Sequence, residues 1–291
     1  MKRYFCIVLC CCILLLSGCR TDQQKYKRIS FDSDALADEM KQIDENTVVI
    51  NGVKETFPAK LPIYNITERN ITDQEYQQML QNLGLTEQCY HVEREGNYLN
   101  YDLASYMDFS RGYFELTDEE LEKLAWETFN KIPFMEGEYE YIGIRHTMSV
   151  ENYEGETHIT RAGVSFYRVL DGVRVSGEEN CTLYFDGSGL VEIDVRLFDY
   201  EKVGTMRIVS LEDAEARIKT PDDFSLDNTI GSVNTLQVDS VKMYLVNQYS
   251  RECEILQPIY IFYGTAYFDN EKESEFKSYV IAIPESMTYE E

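Results

Sequence analysis

The residues whose types could do chemistry in this chain are its cysteines, its three histidines and one serine–lysine pair, and their spacing decides which chemistry is open to them. Eight cysteines occur in 291 residues. Cys6, Cys10, Cys11 and Cys12 lie in one apolar run, Cys19 follows the small residues Ser17 and Gly18, and Cys89, Cys181 and Cys253 are spread through the rest. No C-x-x-C occurs, so neither a zinc cluster nor a redox pair is supported. The three body cysteines leave two arrangements open: three thiols, or one disulfide and a leftover thiol. Cys181 alternates with Leu183 and Phe185 on one face of a strand, the pattern of a small buried hydrophobe. His91, His146 and His158 form no H-E-x-x-H and no pair at helical ligand spacing, which argues against a metal hydrolase. His146 and His158 could meet across a hairpin centred near residues 151–155, beside Glu154 or Glu156, but cross-strand polar pairs on a solvated face are common. Ser274 and Lys277 match S-x-x-K, where the lysine would activate the serine, yet the partner motifs do not follow and the match reads as coincidence. There is no G-x-S-x-G and no phosphate-cradling glycine loop. Asp186-Gly187-Ser188-Gly189 lacks the alternating acidic ligands of a calcium loop. The expectation is no catalytic residue, no metal ligand and no cofactor.

Cys19 is the exception, because its chemistry is set by what precedes it. Lys2 and Arg3 are followed by an apolar run from Tyr4 to Leu16 and then by small residues, the layout of a secretory signal. The run is too short to span a bilayer, for which a helix needs roughly 20 apolar residues. Leu16-Ser17-Gly18-Cys19 resembles the bacterial lipobox, in which the cysteine thiol receives a diacylglyceryl group and becomes the first residue of the mature protein. The other four cysteines of the run lack two small residues before them, so Cys19 alone fits. At about 0.8 kcal/mol per buried methylene, two or more acyl chains make such attachment effectively permanent. The expected protein is tethered to the outer face of the cell membrane at Cys19 without spanning it.

Charge narrows the partners. The net charge is −25, and removing Lys2 and Arg3 with residues 1–18 leaves −25 − 2 = −27. Nucleic acid is excluded as an expected partner, because phosphate binding needs a basic face. An anionic bilayer would also repel such a body, but the repulsion fades over about 8 Å at physiological ionic strength. Arg20, Lys25, Lys27 and Arg28 mark residues 19–45 as a tether that is basic beside the lipid and acidic beyond it.

The rest is long enough to bury a sizeable core, with 44% hydrophobic residues. Residues 34–43 have the pattern of a short helix, and Thr47 to Ile50 with Asn51-Gly52 that of a strand entering a hairpin. Pro58 and Pro62 then break the chain. Three helices follow, each announced by a cap. Thr72 with Glu75 opens one with Tyr76, Met79, Leu80 and Leu83 at helical spacing and Gly84 as its stop. Thr117 with Glu120 opens a second, with Leu121, Leu124, Ala125, Phe129 and Ile132 as its apolar face and Pro133 as its end. Ser210 with Asp213 opens a third through Ile218, before Pro221. Strands are expected from Cys89 to Glu93, Tyr98 to Leu103, Glu138 to Val150, Thr157 to Leu170, Thr182 to Phe185, Leu190 to Phe198, Thr235 to Val246, Ile255 to Phe268 and Phe276 to Ile283. The tyrosine pairs Tyr139/Tyr141 and Tyr98/Tyr101 could stack on a glycan or grip a peptide, but strands favour tyrosine in any case. The order predicts an α+β fold of repeated units, one capped helix followed by antiparallel meander strands, with the helices packed on sheet faces. Units are expected at 46–112, 113–205 and 206–291.

Phe166-Tyr167-Arg168-Val169-Leu170-Asp171-Gly172-Val173-Arg174-Val175, followed by Leu183-Tyr184-Phe185-Asp186-Gly187-Ser188-Gly189-Leu190, resembles PepSY-like repeats and the extracytoplasmic regulatory proteins called YycH and YycI. Leu256-Gln257-Pro258-Ile259-Tyr260 with Tyr279-Val280-Ile281-Ala282 is similar to the closing strands of a second such unit. The resemblance covers roughly residues 115 to 285. It implies a non-enzymatic module that binds another envelope protein, such as a sensor kinase or a protease, and the expected function is recognition of a protein or peptide partner through the sheet surface or edge. This chain departs from those regulators in carrying a lipid site where they carry an N-terminal span. An envelope hydrolase with an unrecognised site and a receptor for a small cationic ligand are the alternative readings.

Overall fold

The structure is a computed structural model that describes residues 26–27, 48–50, 55–104, 115–151, 157–177, 180–218, 224–226, 233–247, 255–268, 273–284 and 288–289. Residues 1–28 and 284–291 form one unit, in which β1 (Tyr26–Lys27) pairs in parallel with the last strand, β16 (Thr288–Tyr289). Residues 29–283 form the other. Cys19, the expected helix at 34–43 and Cys253 lie outside the described residues.

The body begins with β2 (Val48–Ile50), β3 (Lys60–Glu68), α1 (Asp73–Leu83), β4 (His91–Glu95), β5 (Tyr98–Asp102) and α2 (Asp118–Phe129). It continues through β6 (Glu138–Glu151), β7 (Thr157–Leu170), β8 (Val173–Gly177), β9 (Asn180–Asp186), β10 (Gly189–Arg196) and β11 (Phe198–Arg207). The last elements are α3 (Leu211–Ile218), β12 (Phe224–Leu226), β13 (Val233–Asn247), β14 (Gln257–Phe268) and β15 (Glu273–Ile281). The class is α+β, with strands dominating.

All three caps form as expected. Thr72 and Glu75 satisfy each other's backbone N–H groups at the head of α1, and Gly84, at φ 67°, closes it in the left-handed conformation. Thr117 and Glu120 repeat the capping box on α2. This helix stops at Phe129, ahead of Pro133, because the chain tightens into i→i−3 bonds, Lys131 N–H to Thr128 and Ile132 N–H to Phe129. Ser210 Oγ accepts from the Asp213 N–H at 3.1 Å and donates to its carboxylate at 2.6 Å, starting α3.

One mixed sheet carries the strands in the order β12-β15-β14-β13-β8-β7-β9-β10-β5-β4, with β6 also bonded to β7 and β2 to β13. Most neighbours are antiparallel, as expected, but β13 runs parallel to β8 (Leu245 opposite Val175) and to β2 (Leu236 opposite Val48). The parallel joints arise where strands distant in sequence are brought side by side, which no hairpin can do. β2 thus finds its partner across the sheet, whereas Asn51-Gly52 lies outside the described residues.

β3 is the strand that the prolines concealed. Pro62 sits opposite Thr205 in a two-stranded ribbon with β11, where a residue without an N–H is tolerated because one side of the strand makes no ladder. The strands of the three sequence segments interleave: β4 and β5 extend the sheet of β7, β9 and β10, and β3 pairs with β11.

Two apolar cores divide the body into lobes. In the first, Met79 and Leu80 of α1 and Leu121, Ala125 and Phe129 of α2 meet Tyr101, Val164, Phe166, Leu183, Phe185 and Ile193 of the sheet. In the second, Ala214 and Ile218 of α3 meet Leu236, Val241, Tyr260, Phe262 and Val280. A seam of Leu61, Tyr64, Leu170, Val175, Leu245 and Leu256 lies between them. The Asp171-Gly172 turn joining β7 to β8 has φ 48° and 77°, both positive as in a type I′ turn. The Asp171 carboxylate accepts from Tyr64 OH and from Lys202 Nζ at 2.8 Å, which ties this turn to the β3–β11 ribbon. Those two bonds hold its carboxyl below the usual carboxylate range.

Candidate binding face

The strand period of two sorts each strand of the first lobe into an apolar and a polar side. On β10, Val191, Ile193 and Val195 are buried, while Glu192, Asp194 and Arg196 alternate with them at intermediate exposure. On β5, Leu99 and Tyr101 are fully buried between Tyr98, Asn100 and Asp102. The antiparallel register then stacks the polar residues into rows: Asp102, Glu192, Tyr184 and Gly163 across β5, β10, β9 and β7, beside Asn100, Asp194, Thr182 and Ser165. Both helices of this lobe pack on the opposite, apolar side.

The rows are tightly bonded to one another. Arg161 of β7 is 5% exposed and forms an ion pair with Glu192. Its guanidinium also lies 4.8 Å from the centre of the Tyr184 ring. Gly163 makes that stack possible. A Cβ there would fall 2.8 Å from the Tyr184 ring, so only glycine lets the ring lie flat across β7. Asn100 Nδ2 donates to Glu192 Oε1 at 2.8 Å, Tyr98 OH donates to Asp194 Oδ2 at 3.3 Å, and Ser165 Oγ and Thr182 Oγ1 are 3.0 Å apart. Arg196 lies 5.2 Å from the centre of the Tyr98 ring.

Electrostatics follow from this partial burial. Desolvation pushes the Asp194 carboxyl above the usual range, against bonds from Asn100 and Tyr98 and the charge of Arg196, while Asp102 adds to the rise. Burial likewise raises Asp102, opposed by Arg161 and His91. The Tyr98 phenol is pushed up to about 12, by burial first and then by Asp194, so it remains a proton donor at neutral pH. Among the described residues no three His, Cys, Asp or Glu side chains are arranged to hold a metal ion. What the face offers is a rigid pattern of donors, acceptors and alternating charge.

The residues singled out from sequence fall elsewhere. His146 sits opposite Ala162 and His158 opposite Val150, four residues apart along β7, or about 13 Å at 3.3 Å per residue, so the two do not meet. His146 Nε2 is instead 3.7 Å from Asp118 Oδ1 at the start of α2. Glu154 and Glu156 are outside the described residues. The S-x-x-K spacing falls within β15, and Lys277 lies 5.8 Å from the centre of the Tyr263 ring. Cys181 is fully buried in the first core, and burial pushes its thiol up. Cys89 and Cys181 are both free. Asp186 to Gly189 forms the β9–β10 turn, in which Asp186 Oδ1 accepts from the Ser188 N–H at 2.7 Å. Tyr101, Tyr139 and Tyr141 join the first core, and only Tyr98 of the tyrosines weighed for stacking belongs to the polar face.

Arg161, Tyr184, Glu192 and Asp194 were not singled out. The signal was present in the alternation Glu192-Ile193-Asp194-Val195-Arg196, which predicts one polar side but not which strands lie beside it. A concavity of about 410 Å³ lies along α1 between Gln77, Gln78, Gln81, Leu85 and Glu87. Its polar groups pair among themselves, Gln77 with Glu87 and Gln78 with Asn82, and it gathers no charge pattern of its own. No helix among the described residues is long and apolar enough to cross a membrane.

Neither a family model nor a curated protein matches this chain. Among solved structures, an uncharacterised protein from Eubacterium rectale aligns at 10% identity over 87% of this chain and 97% of its own, with a TM-score of 0.49.

Proposed function

We propose that this chain is a non-enzymatic binding or regulatory module, lipid-anchored through Cys19 on the extracytoplasmic face of a bacterial cell membrane, that recognises a protein or peptide partner. The observation that carries the binding reading is the polar face of the first lobe. There, Arg161, Tyr184, Glu192, Asn100, Asp194 and Tyr98 are held in a fixed charge pattern on the side away from α1 and α2. Fixed donors and acceptors on a sheet favour recognition, since little side-chain entropy remains to be lost on binding. The anchoring part rests on Leu16-Ser17-Gly18-Cys19. The same reading takes α2 with β6 to β10 and α3 with β12 to β15 as two copies of one helix-then-meander unit. Support for this comes from the separate core that each helix closes against its own strands.

Crosslinking in living cells followed by capture of the acylated protein tests both parts. Thr182→Arg plants a long cation in the middle of the polar face, and Cys19→Ala removes the acylation site. A stoichiometric membrane partner should be captured with the parent, weakened at least tenfold by Thr182→Arg, and lost with Cys19→Ala along with partition into detergent. Capture unchanged by Thr182→Arg would rule out this face, and Cys19→Ala retaining the lipid mass would rule out the anchor.

A further inference from the structure

The joint between the lobes, with the strands of the second lobe beside it, gathers cations on a chain that carries 52 acidic and 27 basic residues. Arg174 of β8, Lys242 and Tyr244 of β13, Tyr263 of β14 and Lys277 of β15 come from four strands that lie side by side. The register arranges them around Tyr263: Lys277 is directly opposite it on one flank, Ser240 is opposite it on the other, and Lys242 and Tyr244 follow Ser240 at steps of two. Lys242 Nζ and Lys277 Nζ each lie 5.8 Å from the centre of the Tyr263 ring. Arg174 stacks on Tyr244 at 4.6 Å and donates to its hydroxyl. The two hydroxyls are 3.4 Å apart.

Proton accounting shows what this cluster lacks. Arg174 can only donate, and each tyrosine hydroxyl brings one proton. Whichever way the bond between Tyr244 and Tyr263 runs, one hydroxyl proton is left without an acceptor among the described residues. Burial and the bond to Tyr244 push the Tyr263 phenol well above its ordinary value, so the proton stays on at neutral pH. Tyr244 is only 6% exposed, which holds the pair in place. The lysines make no ion pair with any described carboxylate. Among the described acids, Glu140 lies 3.7 Å from Arg174 Nε, and Glu275, one step along the same side of β15, has a partner of its own.

We infer that Arg174, Lys242, Lys277 and the Tyr244–Tyr263 hydroxyl pair form a binding site for a phosphate-type oxyanion. Two ammonium groups, a hydroxyl proton and the remaining guanidinium N–H groups are more donors than the two oxygens of a carboxylate can serve, whereas phosphate offers three or four. The site rests on this cluster alone and stands whether or not the polar face of the first lobe binds a partner. Its phosphate has two chemical sources, a free phosphate group or a phospholipid headgroup.

Calorimetric titration of the full chain in a neutral detergent tests the site, with three probes at equal ionic strength. The probes are inorganic phosphate, acetate, and glycerophosphoglycerol, the soluble headgroup of an anionic phospholipid. Phosphate chemistry should bind at least fivefold tighter than acetate, and Lys242→Gln with Lys277→Gln should weaken it at least tenfold. Both lysines are exposed, so that variant should keep the parent's circular dichroism spectrum. Tyr263→Phe, which keeps the ring and removes the hydroxyl, should weaken binding about threefold. Tighter binding of inorganic phosphate assigns a free phosphate, and equal or tighter binding of glycerophosphoglycerol assigns a headgroup; each supports the site. No binding of either, equal binding of acetate, or binding undiminished in the double lysine variant overturns it.

Discussion

Asp194 is a residue at which burial on the polar face carries an electrostatic cost. Its carboxyl is raised because burial penalises the charged form more than Asn100, Tyr98 and Arg196 relieve it. An acid whose folded pKa exceeds its unfolded value, about 3.9, lends stability when protonated. That contribution is complete below the unfolded pKa and is lost as pH rises through the folded one. Asp194→Asn, always neutral, should therefore be most advantageous relative to the parent near pH 7. The advantage should shrink as pH falls from the raised pKa toward 3.9, read from denaturation midpoints at a series of pH values. A difference that is flat with pH would mean that Asp194 ionises freely. The neighbouring Arg161–Glu192 pair differs in kind, because each group compensates the other. Removing one partner there leaves a buried charge, a loss of about 3–5 kcal/mol.

Among the elements, α1 shows how much a short helix depends on its ends. Its 11 residues fall below the roughly 12–15 at which an isolated helix holds together in water, so caps and packing must supply the rest. Thr72 Oγ1 accepts from the Glu75 N–H at 3.2 Å, and Glu75 returns the bond to the Thr72 N–H at 2.9 Å. Thr72→Ala removes the first of these and frees the second. It should cost about 1 kcal/mol, seen as a lowered midpoint in chemical denaturation, with Met79 and Leu80 still buried. A change within 0.3 kcal/mol would mean that packing against the first core holds the helix without its cap.

For the body as a whole, the narrow part is the joint between lobes. Among the described residues only Leu245, Val246 and Asn247 of β13 pair with β8, and the apolar seam around Leu245 is small beside either core. Leu245 is 1% exposed, and Leu245→Ala should cost about 2–5 kcal/mol. Because, beyond the Arg174–Tyr244 stack and hydrogen bond, the lobes share little else along this joint, the loss should also lower the denaturant m value as one lobe begins to unfold ahead of the other. A lowered midpoint with m unchanged would show that the β3–β11 ribbon and the Asp171 bonds suffice to keep the body one cooperative unit.

Local chemistry decided what the sequence could be read for. Thr72, Thr117 and Ser210 each cap a helix with a side chain three residues away, and Asp171-Gly172 makes a turn whose positive φ needs no distant partner. Such features depend on a few neighbouring residues, so they were legible, as was the burial of Cys181 from simple alternation. Tertiary structure decided the rest. Pro62 reads as a break until β11 is beside it, and β13 acquires parallel partners that no nearby residue announces. The polar face was half legible. Each strand showed that it had a polar side, but Arg161 meets Glu192 and Tyr184 only through register across β7, β9 and β10. Register is a property of pairs of strands, fixed by which hydrophobic sets must reach one core together, and one strand's sequence does not contain its neighbour's identity.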